Sequence, residues 1–258
     1  MIALFLKLKN HSLPKGWKDV VIQLCIFAGA YYSYQLVRGL AESTHVQSAF
    51  TNGRHIIGLE RSLGAFFEPS LQTWVLNNGL LSNFASWMYM NSHFTITVST
   101  LVFVYLFRNH HYLFLRNMLI VAMGLALIGY ALFPTAPPRF FPEWGFVDSV
   151  AHVTGVQDSS IESIFFNPFA AVPSMHVAFA LMIGLTMARI VRFPAMKGFW
   201  ILYPLLVTFV VLATGNHYWF DVVLGALVAA ISAIASKASL KRLKSTHSLT
   251  SSGMEAQA

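Results

Sequence analysis

His217 and Asp221 lie four residues apart in the run ATGNHYWFDVVLGA, residues 213–226, which is otherwise apolar enough to be membrane. Ionisable side chains in lipid are costly, and they tend to face a bundle interior, a partner or a water-filled cavity. At a spacing of i and i+4, two side chains share one face of a helix. An aspartate there can accept a hydrogen bond from one imidazole nitrogen, fixing the tautomer and leaving the other nitrogen nucleophilic. Two further segments carry complementary groups. PSMH (173–176) reads as a helix start with Ser174 as N-cap or first-turn residue. A helix N-terminus presents N–H groups and a positive dipole end to a phosphate, and His176 in that first turn could protonate a leaving oxygen. PTAPPR (134–139) ends in Arg139, whose planar fork of donors suits phosphate oxygens. Together these groups suggest phosphoryl transfer through a phosphohistidine, with no metal or other cofactor required.

Each group also has a plainer reading. His217 and Asp221 could be a buried hydrogen-bonded pair, His176 a satisfied helix-end histidine, and Arg139 a snorkelling residue at the interface. Asn216, His93 (in MNSHFTITVST), Arg54 and Arg61 are candidate cavity-lining residues. No cluster follows a metal-ligand spacing, and His93 lacks the paired pattern expected of haem ligation.

The elements that must position these residues are membrane helices. Of the 258 residues, 56% are hydrophobic and only 10% are charged, and the mean hydropathy is +0.59. Runs near 18–38, 84–107, 113–133, 175–191, 198–214 and 218–236 are each candidates to cross a hydrocarbon core. The expected fold is all-α and polytopic, a bundle of six transmembrane helices with an outer interfacial helix. Residues 1–17 form a cytoplasmic N-terminal segment, 18–236 the catalytic membrane domain, and 237–258 a flexible cytoplasmic tail. Within the domain, 42–78 holds the interfacial helix and 134–173 is a long outer loop whose prolines stop helix continuation. In the interfacial helix Ile56, Leu59, Leu63, Phe66 and Phe67 recur at helical spacing, with Arg54, Glu60 and Arg61 interleaved. Glu68-Pro69 reads as a break and restart, and Asn77-Asn78-Gly79 as a turn.

Of the 17 basic residues, all but Arg38, Arg54, Arg61 and Arg139 fall on the side of the N-terminus. The positive-inside rule then places both termini in the cytoplasm and the site facing outward, with the plasma membrane as the expected location. The net charge of +7 is read as orientation and contact with anionic headgroups rather than nucleic-acid binding. The lysines, VVIQLCIF and Ala28-Gly29-Ala30 resemble a signal peptide, but the apolar run continues through YYSYQLV and is read as a retained span. Cys25 is alone, so an internal disulfide or thiolate cluster is excluded.

In this topology PTAPPR, PSMH and GNHYWFD all fall at the outer face. These three segments, with the six-span layout covering nearly the whole chain, resemble the type 2 phosphatidic acid phosphatase superfamily. The likeness is closest to its inositol phosphorylceramide synthase and sphingomyelin synthase-like branch. The resemblance implies His217 as nucleophile, Asp221 as its orienting group, His176 as general acid and base, an outward or lumenal site, and a metal-independent mechanism. Two positions depart from the wider pattern: Leu132 stands where a lysine is expected, and Val211 where an arginine is expected. Fewer cations suit a diester, with one negative charge, better than a monoester with about −1.5 to −2, unless Arg54 or Arg61 folds over the site.

The expected activity is cleavage of a lipid phosphate ester, the partner being a membrane lipid phosphate or phospholipid. The acceptor is water in a phosphatase or an alcohol in a head-group transferase. The rival from another class is a lipid-headgroup transporter or flippase that binds without chemistry.

Overall fold

The computed structural model describes residues 14–40, 46–154 and 169–255, with side chains placed over 14–34, 46–92, 94–151 and 169–242. Parts of the N-terminal segment, the interfacial region and the outer loop (1–13, 41–45, 155–168) therefore lie outside the described residues, as does the side chain of His93. In lipid each backbone N–H and C=O must be bonded within its own segment, so long apolar runs fold as helices. The helices are α1 (Gly16–Leu40), α2 (Val46–Ser62), α3 (Glu68–Leu76), α4 (Gly79–Phe107), α5 (Asn109–Leu132), α6 (Ser149–Thr154), α7 (Met175–Ile190), α8 (Pro194–Ala213) and α9 (Trp219–Glu255). Among the described residues there is no strand, only one isolated bridge between Thr135 and Ala170.

Among the described residues, three helices are long and apolar enough to cross a membrane: Asn109–Leu132, Pro194–Ala213 and the Trp219–Arg242 part of α9. A fourth, α4, passes as two halves, Gly79–Ser92 and Phe94–Phe107, that meet at 48°. Helix α7 is apolar but has only 16 residues. The polar segment after residue 236, expected to be a flexible tail, is instead helical as far as Glu255. It contains no proline and no glycine before Gly253, so nothing in it stops the helix that enters from the membrane.

Helix starts follow local chemistry. Asn78 accepts the Leu81 N–H at 3.1 Å and opens α4, and Pro69 sits in the first turn of α3, where its missing N–H costs nothing. The main core gathers side chains of α4, α5, α7, α8 and α9. A second core lies beside it at the end where the three motif segments meet. It packs Ala49, Ile56 and Ile57 of α2 against Ala136, Phe141 and Phe146 of the loop, Ala171 and Val172 ahead of α7, and Tyr218 ahead of α9. Helix α2 thus buries Ile56 together with Ile57 and Glu60, while Leu59 and Leu63 stay exposed. The expected single apolar stripe through Ile56, Leu59 and Leu63 is split, because the loop and Tyr218 offer α2 a protein surface as well as a membrane one.

Candidate active site

Every pair of motif segments is joined by main-chain hydrogen bonds. Thr135 N–H donates to Phe169 O at 2.8 Å, and Ala171 N–H to Thr135 O at 3.4 Å, tying the first segment to the approach of the second. Ser174 N–H donates to Asp221 O at 3.2 Å, tying the second to the third. Arg139 N–H donates to Gly215 O at 2.8 Å, tying the third back to the first. Two glycines make these approaches feasible. Gly215 turns the chain at φ +67° with the Gln72 amide where a side chain would stand, and a Cβ on Gly225 would lie 2.5 Å from the Ser174 carbonyl oxygen. The site is thereby fixed by backbone, and its side chains inherit that geometry.

His217 and Asp221 meet as expected, with Nδ1 3.2 Å from Oδ2, but not across one face of a helix. Helix α9 begins at Trp219, so His217 precedes it and Asp221 is its third residue. Asp221 Oδ2 also accepts the Tyr218 N–H at 3.0 Å, which is the return half of a capping box. The turn that starts the helix, rather than helical periodicity, brings the imidazole to the carboxylate. Asp221 is fully buried and His217 nearly so. With Nδ1–H donating to Asp221, Nε2 carries the free lone pair.

Ser174 caps α7, its Oγ accepting the Val177 N–H at 3.4 Å. His176 follows in the first turn, and its ring lies 5.6 Å from that of His217, edge to face. His176 also meets Tyr89 of α4, stacked at 4.7 Å with 24° between the planes. Tyr89 carries no local signal in the sequence, since the contact joins residues far apart in the chain. The stack fixes the plane of the His176 imidazole beside the His217 ring.

Arg139 is largely enclosed. Its Nη1 donates to Asn216 Oδ1, its Nε lies 3.4 Å from Asp148 Oδ2, and its guanidinium rests over Phe140 at 4.9 Å. Asn216 in turn donates to the Thr214 hydroxyl at 2.9 Å, so the residue that holds Arg139 is the chain neighbour of His217. Gln72 of α3 was not foreseen as a positioning group. Its Nε2 donates to Val147 O at 2.7 Å and to Ser149 Oγ at 2.8 Å, and its Oε1 accepts the Val147 N–H. That clamp steadies the loop carrying Asp148.

Arg54 and Arg61 contact the loop after α5. Arg54 pairs with Glu143 at 3.9 Å and lies over Phe141, and Arg61 lies over Trp144. Both guanidiniums rest against the outer loop here rather than beside Arg139. Val211 is fully buried in the main core, where its carbonyl accepts the His217 N–H at 3.2 Å. Leu132 is 79% exposed at the end of α5. His93 lies in α4, and its side chain is outside the described residues. Glu60, expected among the polar residues of the interfacial helix, is buried, as is Glu68. Among the described residues, no group of three or more His, Cys, Asp or Glu side chains is arranged to hold a metal ion.

A family model described as the PAP2 superfamily matches residues 54–235, from α2 through most of the membrane part of α9. No curated protein and no solved structure gives a significant match.

Proposed function

Because the chain belongs to the PAP2 superfamily, which supports a phosphatase-type lipid phosphoesterase activity, we propose that it transfers the phosphoryl group of a membrane lipid through a phosphohistidine at His217. The observation that carries this reading is the His217 Nδ1–Asp221 Oδ2 contact at 3.2 Å with the His176 ring 5.6 Å beyond it. Nε2 of His217 attacks phosphorus, the ester P–O bond breaks, and imidazolium His176 gives its proton to the departing alkoxide. Neutral His176 then takes the proton of the acceptor hydroxyl, whose oxygen attacks the phosphohistidine and frees His217. Arg139, Ser174 and the first turn of α7 bind the phosphoryl oxygens. The acceptor is water or an alcohol, because both can attack the same intermediate.

Arg139 as the principal cation, with Leu132 and Val211 at the two positions of the wider pattern, favours a diester donor and head-group transfer, as in the inositol phosphorylceramide and sphingomyelin synthase-like branch. We take α1 and α7 as two further spans beside α4, α5, α8 and α9, giving six, with both termini cytoplasmic and the site at the extracytoplasmic face. The asymmetry of basic residues supports that orientation. The bend of α4 and the shortness of α7 are compatible with crossings that a neighbouring helix completes.

Incubating the purified protein with phospholipids and lipid phosphates, with and without alcohol acceptors, tests the activity. Free phosphate identifies a phosphatase and a new phosphodiester a transferase; no turnover of any lipid in either format refutes the proposal. Arg139→Ala should lower kcat/KM about 100-fold on the best substrate, and Arg139→Lys should recover only part of it, because an ammonium cannot hold Asn216 and a phosphoryl oxygen in one plane. Steady-state kinetics in mixed micelles measure both.

A further inference from the structure

Three consecutive main-chain N–H groups at the start of α9 each donate to a different carboxylate. Tyr218 N–H donates to Asp221 Oδ2 at 3.0 Å, Trp219 N–H to Glu68 Oε1 at 2.8 Å, and Phe220 N–H to Glu60 Oε1 at 2.8 Å. The first carboxylate is local; the other two arrive from α2 and α3, about 150 residues earlier in the chain, as the separations of 151 and 160 show. Glu60 is 2% exposed and Glu68 fully buried, and among the described residues neither forms an ion pair with a basic side chain. Glutamates are rarely buried so completely without a cation. A helix start has free N–H groups and a positive end that compensate for part of that cost.

We propose that Glu60 and Glu68 are positioning residues for the reaction, holding the first turn of α9, and with it the His217–Asp221 pair, against the outer helices α2 and α3. The inference rests on His217 being the nucleophile. His217 has one covalent link to the turn these carboxylates grip, so a shift of Trp219 or Phe220 moves the imidazole relative to His176 and Arg139. Displacements of about 1 Å at a reacting group can cost about 100-fold in rate.

The two glutamates are not equivalent. Glu68 uses both oxygens, Oε1 for Trp219 N–H and Oε2 for its neighbour Phe67 N–H at 2.9 Å. Glu60 uses only Oε1, and its buried Oε2 has no hydrogen-bond partner of good geometry. Burial, then the charge of Glu68, push the Glu60 carboxyl up to about 8, with Asp221 of α9 adding to the repulsion and the Phe220 N–H opposing it. Glu60 is therefore a carboxylic acid at neutral pH, and its hydroxyl hydrogen can be shared with Glu68. Glutamine is a close copy of that form, whereas glutamine at position 68 keeps only one of the two acceptors in use.

Glu60 holds its proton more tightly folded than unfolded. Its contribution is complete below the ordinary value of 4.5 and is lost as pH rises through about 8. The test uses full-length protein in detergent, with Glu60→Gln, Glu60→Ala and Glu68→Gln compared with wild type from about pH 6 to about pH 9. Melting temperature and kcat of the wild type should fall together through the upper part of that range. Glu60→Gln should match wild type at the acid end, hold its melting temperature above it and lose less kcat than wild type, the rest of the loss belonging to His176. Glu60→Ala and Glu68→Gln should lower kcat at least about tenfold at every pH with KM changed much less. An alkaline loss in Glu60→Gln equal to that of wild type, or undiminished kcat in Glu60→Ala, overturns the inference. If the wild type turns over no lipid phosphate, the proposed activity is what fails. Melting then decides the clamp alone, and Glu60→Ala and Glu68→Gln melting like wild type would refute it.

Discussion

Replacing His217 by alanine should reduce turnover by at least about 10⁴-fold and abolish any trapped phosphoenzyme, while leaving a folded protein. The magnitude follows from the role. A nucleophile that forms the covalent intermediate has no substitute within reach, so its removal leaves only binding and electrostatic stabilisation, and losses of about 10⁴ to 10⁶ are usual. Folding should survive because the turn is held by groups other than the imidazole: Val211 O on the His217 N–H, Asp221 on the Tyr218 N–H, and Glu68 and Glu60 on the next two. Acid-quenched labelling with a radioactive lipid phosphate, beside a melting curve in detergent, measures both. Undiminished labelling in the variant would remove His217 from the mechanism. A wild type and a variant that translocate lipid equally, with no turnover in either, would assign the same polar groups to transport.

Asp221→Asn should cost about 10² to 10⁴ in kcat with little change in KM, by analogy with other orienting carboxylates. Asp221 Oδ2 accepts from both His217 Nδ1 and the Tyr218 N–H, which only an oxygen acceptor, not an amide nitrogen, can do. An amide nitrogen facing the ring would demand the other tautomer, leaving the proton on Nε2 where the lone pair must be. An amide oxygen in the same place keeps the tautomer but supplies no charge to offset the cation that grows on the ring as the N–P bond forms. Phosphoenzyme should still form, slowly, which separates this variant from His217→Ala in a rapid-quench time course. Its melting temperature should hold or rise, because the amide oxygen can still accept the Tyr218 N–H while a fully buried acid is removed. A fall in activity without a fall in stability is the signature of a group kept for function. A variant within about threefold of wild type would show that Asp221 caps the helix and does little more.

The helices were legible because their signals are local. A run of apolar residues near 20 long folds as a helix whatever surrounds it, and the structure has a helix over each of the six expected runs. Ser174 as a cap and Asn78 as a helix start were readable for the same reason, since capping involves neighbours in the chain. Polar composition alone does not end α9, because no breaker occurs before Gly253 and the segment expected as a flexible tail is helical to Glu255. The His217–Asp221 contact was anticipated through the wrong geometry: a spacing of four also closes a capping turn, and the sequence does not say where α9 begins.

By itself, then, the sequence determined an all-helical membrane-type chain, its three chemically distinctive segments, and the pairing of a histidine with an aspartate four residues on. Tertiary structure alone decided which distant groups serve that pair. Arg54 and Arg61, plausible phosphate ligands by charge, are drawn to Glu143 and the aromatic rings of the outer loop. Tyr89, Gln72, Glu60 and Glu68, which had no assigned role, stack on His176, clamp the loop beside Arg139 and grip the start of α9. The physical reason is that a burial pattern or a cap is written within a few residues, whereas a buried carboxylate or a stacked ring is stable only through its partner. Where that partner lies 151 or 160 residues away, as for Glu68 and Glu60 with the first turn of α9, only the packed fold selects it.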